Sequence, residues 1–217
     1  MSMIRDYLAI TNRRYRLVCN ALIPVGLGVL SMILTFVAGS SYVAVVALCI
    51  AAVFLAALEV AEDYFGFGAI CVKGCLGMDY LKTSVRGKKM LCDALMADIL
   101  VRPLRISLCM VFPGITYGIL VGSPVRPLIV SILLVADISV WSLNITRYIQ
   151  NLQIVSFVSM LMSGAAGAGT VYLGYMLETK WLLWLTVAGL ILFLVLGVYV
   201  TYRHMCRRVE QSYEDID

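Results

Sequence analysis

The sequence predicts an all-α, polytopic membrane protein with six transmembrane helices and both termini in the cytoplasm. Of its 217 residues, 62% are hydrophobic and only 14% are charged, and the mean hydropathy is +0.94. Soluble domains average about 45–50% apolar and about 25% charged residues. Two further observations support a membrane protein: six apolar runs long enough to cross the hydrocarbon core as helices, and an uneven distribution of Lys and Arg.

The apolar runs follow one another along a single domain, residues 1–217, without an internal repeat or a flexible linker. A helix of about 20 apolar residues crosses a bilayer. Small residues and proline end the first run at 39–41 and the third at 122–124. The predicted spans are Leu17 to Ala38, Tyr42 to Val60, Leu104 to Val121, Val125 to Asn144, Leu152 to Leu177 and Trp181 to Tyr202.

The basic residues predict the orientation of the spans. Residues 1–16 contain four Lys or Arg, residues 61–105 seven, residues 144–151 one, and the tail from 203 three. The other three loops contain only Arg126 and Lys180. Because an excess of Lys and Arg marks the cytoplasmic side, we expect a multi-pass protein of the plasma membrane, of bacterial type, with both ends inside.

The largest predicted feature outside the spans is the cytoplasmic segment 61–103. Long loops in compact proteins are usually functional. Within it, Leu91, Leu95 and Ile99 recur near helical spacing, which predicts an amphipathic helix leading into the third span. Pro103 disfavours helical geometry at Arg102, so we expect this helix to break there.

The N-terminal stretch, residues 1–16, mixes apolar and basic side chains. Ile4 and Leu8 alternate with Arg5, Arg13 and Arg16. Such a pattern is typical of an amphipathic helix in the plane of the membrane interface, which we expect from Ile4 to Arg16. The alternative is a frayed, positively charged flank of the first span.

Polar residues within the fourth span form a candidate substrate path. Asp137, Trp141 and Asn144 are spaced i, i+4, i+7 and therefore share one helix face. A carboxylate inside a membrane span is a functional candidate by default. The alternative is a structural acid that pairs with a basic or hydrogen-bonding group on another helix.

Acidic and basic residues also flank the inner ends of the second and third spans. If these spans are neighbours, the side chains could form ion pairs that connect the cytoplasmic segment to the membrane helices. The alternative is a solvated rim, in which each pair contributes less than about 1 kcal/mol. The candidate residues are Glu59, Glu62, Asp63, Asp98, Arg102 and Arg105.

The stretch Tyr80-Leu81-Lys82-Thr83-Ser84-Val85-Arg86-Gly87-Lys88-Lys89-Met90-Leu91 resembles the segment after the second span in small permeases of the ATP-binding-cassette type-2 exporter family. The six spans, the inside termini and the basic N-terminal stretch agree with that family. The resemblance implies a coupling segment that docks onto a cytosolic ATPase. The alternative is a basic segment that contacts anionic lipid. The implied docking residues are Met78, Asp79, Tyr80, Leu81, Lys82, Thr83, Ser84 and Arg86.

The resemblance also implies a function and a set of partners. The chain lacks a G-x-x-x-x-G-K-[ST] motif, so we expect ATP with Mg to bind to a separate ATPase subunit. We also expect no enzymatic activity, cofactor or metal site in this chain, since its predicted spans lack the Gly-x-Ser nucleophile of a membrane protease and its only histidine is far in sequence from Cys71 and Cys75. The permease would pair with itself or a related permease, contact lipid but no nucleic acid, and export an amphipathic or apolar substrate, such as a peptide or a lipid-like compound. Two alternatives stay open: a non-transporting membrane scaffold or regulatory protein, and a substrate-capture subunit of a vitamin importer.

Overall fold

The computed structural model describes residues 2–39, 41–62, 76–121, 125–146 and 180–214, together with residues 154, 157 and 161. All regular secondary structure in these ranges is helical, which confirms the all-α class for this part of the chain. The helices are α1 (Ser2–Ile10), α2 (Arg13–Leu17), a π-helix (Val18–Leu22), α3 (Ile23–Ala38), α4 (Ser41–Glu62), α5 (Leu76–Lys82), α6 (Val85–Val121), α7 (Val125–Thr146) and α8 (Lys180–Glu214).

Two helical runs in the described part are long and apolar enough to cross a membrane. They are Val18–Ala38, of 21 residues and mean hydropathy 2.3, and Trp181–Gln211, of 31 residues and mean hydropathy 2.5. Leu128–Asn144 is a shorter apolar helix. By length and composition these helices are compatible with a membrane protein, but they do not establish the six predicted spans. Except for residues 154, 157 and 161, the fifth predicted span lies outside the described residues.

The helix α6 is the central element of the described bundle. It packs against α1, α3, α4, α5, α7 and α8. With 37 residues and a rise of 1.5 Å per residue, it is about 55 Å long. The predicted cytoplasmic segment and the third predicted span are therefore joined by one continuous helix.

The predicted helix break at Arg102 is wrong, because α6 continues through both Pro103 and Pro113. A proline inside a helix removes one backbone hydrogen bond and crowds the preceding turn. Tertiary packing around the buried Arg102 side chain overrides the local preference of an X-Pro sequence.

The N-terminal stretch forms a shorter helix than predicted. Helix α1 ends at Ile10, and α2 begins at Arg13 and leads directly into the π-helix at Val18, where the first membrane-length run begins. The interruption is stabilised locally, since the Asn12 side-chain oxygen accepts a hydrogen bond from the Arg14 backbone N–H at 3.0 Å. The Arg16 guanidinium donates back to the Leu8 carbonyl at 2.7 Å. The predicted single helix from Ile4 to Arg16 is therefore wrong beyond Ile10.

The apolar core of the described part consists of three clusters, two of which lie along α6. One surrounds Leu55, Ile106 and Met110, and joins α4, α6 and α7. The next surrounds Leu95 and Ile99, and joins α1, α6, α7 and α8. A third, smaller cluster joins α7 and α8. On α6 the first two clusters are separated by a layer of charged side chains.

Candidate functional site: a buried charge cluster on the long helix

Three charged residues occupy one face of α6 between the two apolar clusters. Asp98, Arg102 and Arg105 follow the i, i+4, i+7 spacing that aligns side chains on a helix. The exposed fractions of Arg102 and Arg105 are 0% and 1%. Charged side chains are almost never buried this completely unless they are paired, so their partners define the site.

The partner of Arg105 is Glu59, near the C-terminal end of α4. The Arg105 Nε donates to Glu59 Oε1 at 2.7 Å, and Nη2 donates to Oε2 at 2.6 Å. This is the bidentate geometry that gives arginine–carboxylate pairs both strength and directional specificity. Glu59 itself is completely buried.

The same Glu59 carboxylate also contacts Arg102. The Arg102 Nη1 lies 2.7 Å from Glu59 Oε2, and its Nη2 lies 3.2 Å from Asp98 Oδ2. The Ser139 hydroxyl of α7 donates to Glu59 Oε2 at 3.2 Å. The cluster therefore joins α4, α6 and α7 through one carboxylate.

The four ionised side chains, which we call the charge cluster, balance each other. Glu59 and Asp98 supply two negative charges, and Arg102 and Arg105 supply two positive charges. Isolated charges are very costly to bury, whereas paired and hydrogen-bonded ones can be accommodated. Removal of one partner would leave an uncompensated charge in the interior.

The charge cluster extends to the N-terminal helix through two further hydrogen bonds. The Arg105 Nη1 donates to Asn20 Oδ1 at 2.8 Å, and the Asn20 side-chain nitrogen donates to the Tyr7 hydroxyl at 3.0 Å. Asn20 lies in the π-helix Val18–Leu22, a conformation that is rare and frequent at functional sites. Tyr7 is nearly fully buried in α1. The position of α1 is thereby connected to the interior of the bundle.

The predicted ion pairs between the second and third spans thus involve four of the six candidate residues. The structure places Glu59, Asp98, Arg102 and Arg105 in one network that is buried rather than a solvated rim. The side chain of Glu62 and the whole of Asp63 lie outside the described residues. Burial of the network was not evident in the sequence, because a basic residue near a span end usually faces water or headgroups.

The residues of the candidate substrate path on α7 have different surroundings in the structure. Asp137 is 3% exposed, and neither of its carboxylate oxygens has a hydrogen-bond partner within the described part of the chain. Trp141 stacks on Phe193 of α8, with ring centroids 4.9 Å apart. A methyl group at Gly197 would lie 2.7 Å from the indole nitrogen of Trp141, so only glycine allows this approach.

Asn144, the third predicted residue of this face, is hydrogen-bonded to α8. Its side-chain nitrogen donates to the Thr201 hydroxyl at 2.8 Å, and its oxygen lies 3.2 Å from His204 Nδ1. Sequence reasoning missed both partners. A signal was present, since Thr201 is a polar residue late in an apolar run and His204 is the single histidine of the chain.

The predicted docking segment forms a helical hairpin in which α5 and α6 meet at a tight turn. Tyr80 and Val85 are 78% and 87% exposed. Lys82, in contrast, is fully buried and pairs with Asp79 at 3.2 Å, and Leu81 packs towards the core. The predicted docking residues that are exposed are Tyr80, Thr83, Ser84 and Arg86. The structure adds Val85, which is not among the predicted residues. The side chain of Met78 lies outside the described residues.

The turn itself depends on Ser84 and Gly87. The Ser84 hydroxyl accepts a hydrogen bond from the Gly87 backbone N–H at 3.0 Å, as an N-cap of α6 does. A Cβ atom at Gly87 would lie 1.9 Å from the Leu81 carbonyl oxygen. Ser84 and Gly87 therefore have a clear structural role in the hairpin.

Near this hairpin, α6 and α8 are also joined by two cysteine thiols. The side chains of Cys92 and Cys206 lie close enough to interact, and this contact together with burial raises the pKa of Cys92. The two residues are 114 positions apart, and nothing in the sequence links them.

No protein-family model matches the chain. Searches of the curated proteins and of the solved structures likewise found no significant match.

Proposed function

We propose that this chain is the membrane-spanning permease subunit of an ATP-driven exporter. It has six spans with both termini in the cytoplasm of a bacterial cell, and it forms a dimer with itself or with a related permease. A separate cytosolic ATPase binds ATP and Mg and moves the permease through its cytoplasmic hairpin. The observation that carries this proposal is the unbroken helix α6, which runs from the exposed turn at Val85 to the charge cluster and beyond.

The continuity of α6 supports a mechanical role. About 30 Å of helix separates Val85 from Arg105, at 1.5 Å per residue. A continuous helix that packs against its neighbours along its length transmits displacement, because close-packed protein interiors resist compression. A displacement applied at the α5–α6 turn would therefore reach the interior of the bundle.

The charge cluster supports transfer of this displacement to the other helices. Glu59 binds Arg102 and Arg105 at once, and Ser139 joins it from α7. Separation of a buried ion pair leaves uncompensated charges and is strongly unfavourable. Helices α4 and α7 should therefore follow α6 instead of sliding past it.

The exposed end of the hairpin supports docking of a partner. Tyr80 and Val85 present apolar surface, and Arg86 lies exposed beside them. Aromatic and arginine side chains dominate the energetic centres of protein interfaces. Lys82 is buried and therefore cannot contact a docked partner. The docking surface thus includes fewer residues than the resemblance implies.

The α7 face supports a substrate path for an amphipathic or apolar compound. Asp137 supplies a buried carboxylate, and Trp141 supplies an aromatic surface one helical turn further. A carboxylate inside a membrane span usually faces a bundle interior or a water-filled cavity. In this arrangement the acid would contact the polar end of a substrate and the ring its apolar part.

Co-purification with an ATPase tests the proposal. The intact chain should retain a P-loop ATPase encoded by a neighbouring gene in mild detergent, whereas a Tyr80→Ala/Val85→Ser variant should lose it. Tyr199→Ala removes an exposed tyrosine from α8, away from the hairpin, and should bind the ATPase as the wild type does. Equal retention by the hairpin variant would refute the docking surface. A wild-type chain that retains no such ATPase would favour the scaffold function.

A further inference from the structure

A cavity of about 520 Å³ lies between α1 and the beginning of α6. Helix α1 contributes Arg5, Asp6 and Ala9 to its lining, and α6 contributes Arg86, Lys89 and Asp93. The α6 residues follow helical spacing on one face, so both walls of the cavity are built by regular helices. The transport proposal makes no use of this cavity.

The charged side chains around the cavity are not neutralised by each other. Among the described residues, no ion pair joins Arg5, Arg86 or Lys89 to Asp6 or Asp93. The three basic groups come from both walls and surround one space. Such a space suits an anion that accepts hydrogen bonds from several cations at once, and arginine fits a phosphate in a bidentate manner.

The neighbouring surface of α1 indicates where this anion comes from. Ile4 and Leu8 are exposed apolar side chains, with Ile4 63% exposed. Ile4 and Leu8 are one turn apart on α1 and form an apolar stripe. Arg5 and Ala9, which line the cavity, follow them directly in the sequence, so the apolar stripe lies beside the cavity on the same helix. An apolar stripe beside a basic site matches the two chemical halves of a lipid at the membrane interface.

We infer that the cavity binds the phosphate group of an anionic phospholipid from the cytoplasmic leaflet. Arg5, Arg86 and Lys89 donate to the phosphate oxygens, and the acyl chains lie along Ile4 and Leu8. Asp6 and Asp93 accept hydrogen bonds from hydroxyl groups and repel a second negative charge. The site therefore favours a singly charged phosphodiester with a hydroxylated headgroup, such as phosphatidylglycerol. A soluble phosphate ester shares the phosphate chemistry but lacks the acyl chains.

Native mass spectrometry of the detergent-solubilised full chain, titrated with phosphatidylglycerol or phosphatidylcholine, tests this site. The wild type should bind phosphatidylglycerol at least about tenfold more tightly, since each basic residue near a membrane surface attracts anionic lipid. Arg5→Gln/Arg86→Gln/Lys89→Gln should abolish the preference. Ala9→Phe should also weaken phosphatidylglycerol binding, because it fills the cavity without changing any charge.

The matched control is Arg13→Gln/Arg14→Gln/Arg207→Gln, which removes three exposed arginines outside the cavity. It should keep the wild-type preference for phosphatidylglycerol. A control that loses as much binding as the cavity variant would indicate general electrostatic attraction and overturn the site. Undiminished binding by both cavity variants would also overturn it.

Glycerophosphoglycerol, the deacylated and singly charged headgroup of phosphatidylglycerol, distinguishes the two sources of phosphate. If the phosphate belongs to a lipid, millimolar glycerophosphoglycerol should leave bound phosphatidylglycerol in place. If it displaces the lipid and binds with the same dependence on Arg5, Arg86 and Lys89, the phosphate site is supported with a soluble ligand as its occupant. Tyr80 and Val85 do not line the cavity. A negative result in the lipid test therefore leaves the ATPase docking surface intact, and a negative result in the ATPase test leaves the lipid site intact.

Discussion

The guanidinium group of Arg105 meets the carboxylate of Glu59 edge to edge, with its Nε and Nη2 at 2.7 and 2.6 Å from the two carboxylate oxygens. Both side chains are buried, and they come from helices that are far apart in sequence. Their pairing determines the relative register of α4 and α6.

The charge cluster should respond to mutation as a unit. Glu59→Gln and Arg105→Gln each leave one net charge in the interior and should each lower the free energy of unfolding by about 3–5 kcal/mol. The double variant leaves the Asp98–Arg102 pair balanced, so its loss should fall short of the sum by about 0.5–3 kcal/mol. Unfolding of the four proteins in mixed detergent micelles measures the difference. Additive losses would show that the pair is not coupled.

The hairpin should not tolerate a side chain at Gly87. Gly87→Ala places a Cβ atom against the Leu81 carbonyl and should lower the unfolding temperature, with an overpacking cost of about 1–3 kcal/mol. Gly189→Ala is the matched control, because a Cβ atom there meets nothing within 4 Å. In a helix interior this control should raise stability by about 0.5–1 kcal/mol. Equal effects of the two changes would contradict the close approach of α5 and α6.

The α7 face should influence transport without affecting ATPase docking. Asp137→Asn keeps the shape of the side chain but removes its charge. Efflux of a cationic amphipathic dye from vesicles that contain the reconstituted complex should therefore fall about tenfold or more. A decrease of this size is expected for the loss of a charged contact of about 1.5–3 kcal/mol. Retention of the ATPase should stay at the wild-type level. Unchanged efflux would identify Asp137 as a structural acid.

The contact between α6 and α8 should be detectable by oxidation. Diamide, which accepts the two electrons and two protons released by a pair of thiols, should form an intrachain disulfide between Cys92 and Cys206, because their side chains lie close together. Peptide mapping by mass spectrometry detects the linked fragments. Cys92→Ser should abolish this linkage, and its persistence or a preference for another cysteine would contradict the packing of the two helices.

Much of the fold in the described part follows from hydropathy. The first apolar run ends at Ala38, where Gly39 takes a left-handed conformation (φ 60°) and its N–H bonds the Thr35 carbonyl. This agrees with the turn that small residues predict. Helix α7 likewise covers the fourth predicted span. The ends of these helices depend on residues that are close to them in the sequence, so they can be predicted from the sequence alone.

The features that sequence analysis missed depend on tertiary packing. Local preference favours a break before Pro103, but the buried contacts of Arg102 hold α6 together. Lys82 is a basic residue in a basic segment, yet its side chain is buried and paired with Asp79. The contact between Asn144 and His204 requires α7 and α8 to be adjacent, which spacing along one chain does not reveal.

The charge cluster also constrains how the chain is synthesised. Glu59 precedes Arg105 by 46 residues, so the ribosome delivers the acid well before either arginine. Until then the carboxylate lacks its two arginine partners, and in the proposed membrane topology it is most stable at the hydrated surface of the bilayer. In that topology α4 can reach its final depth only after α6 has been synthesised, so the meeting of these two helices would be a late step of membrane insertion.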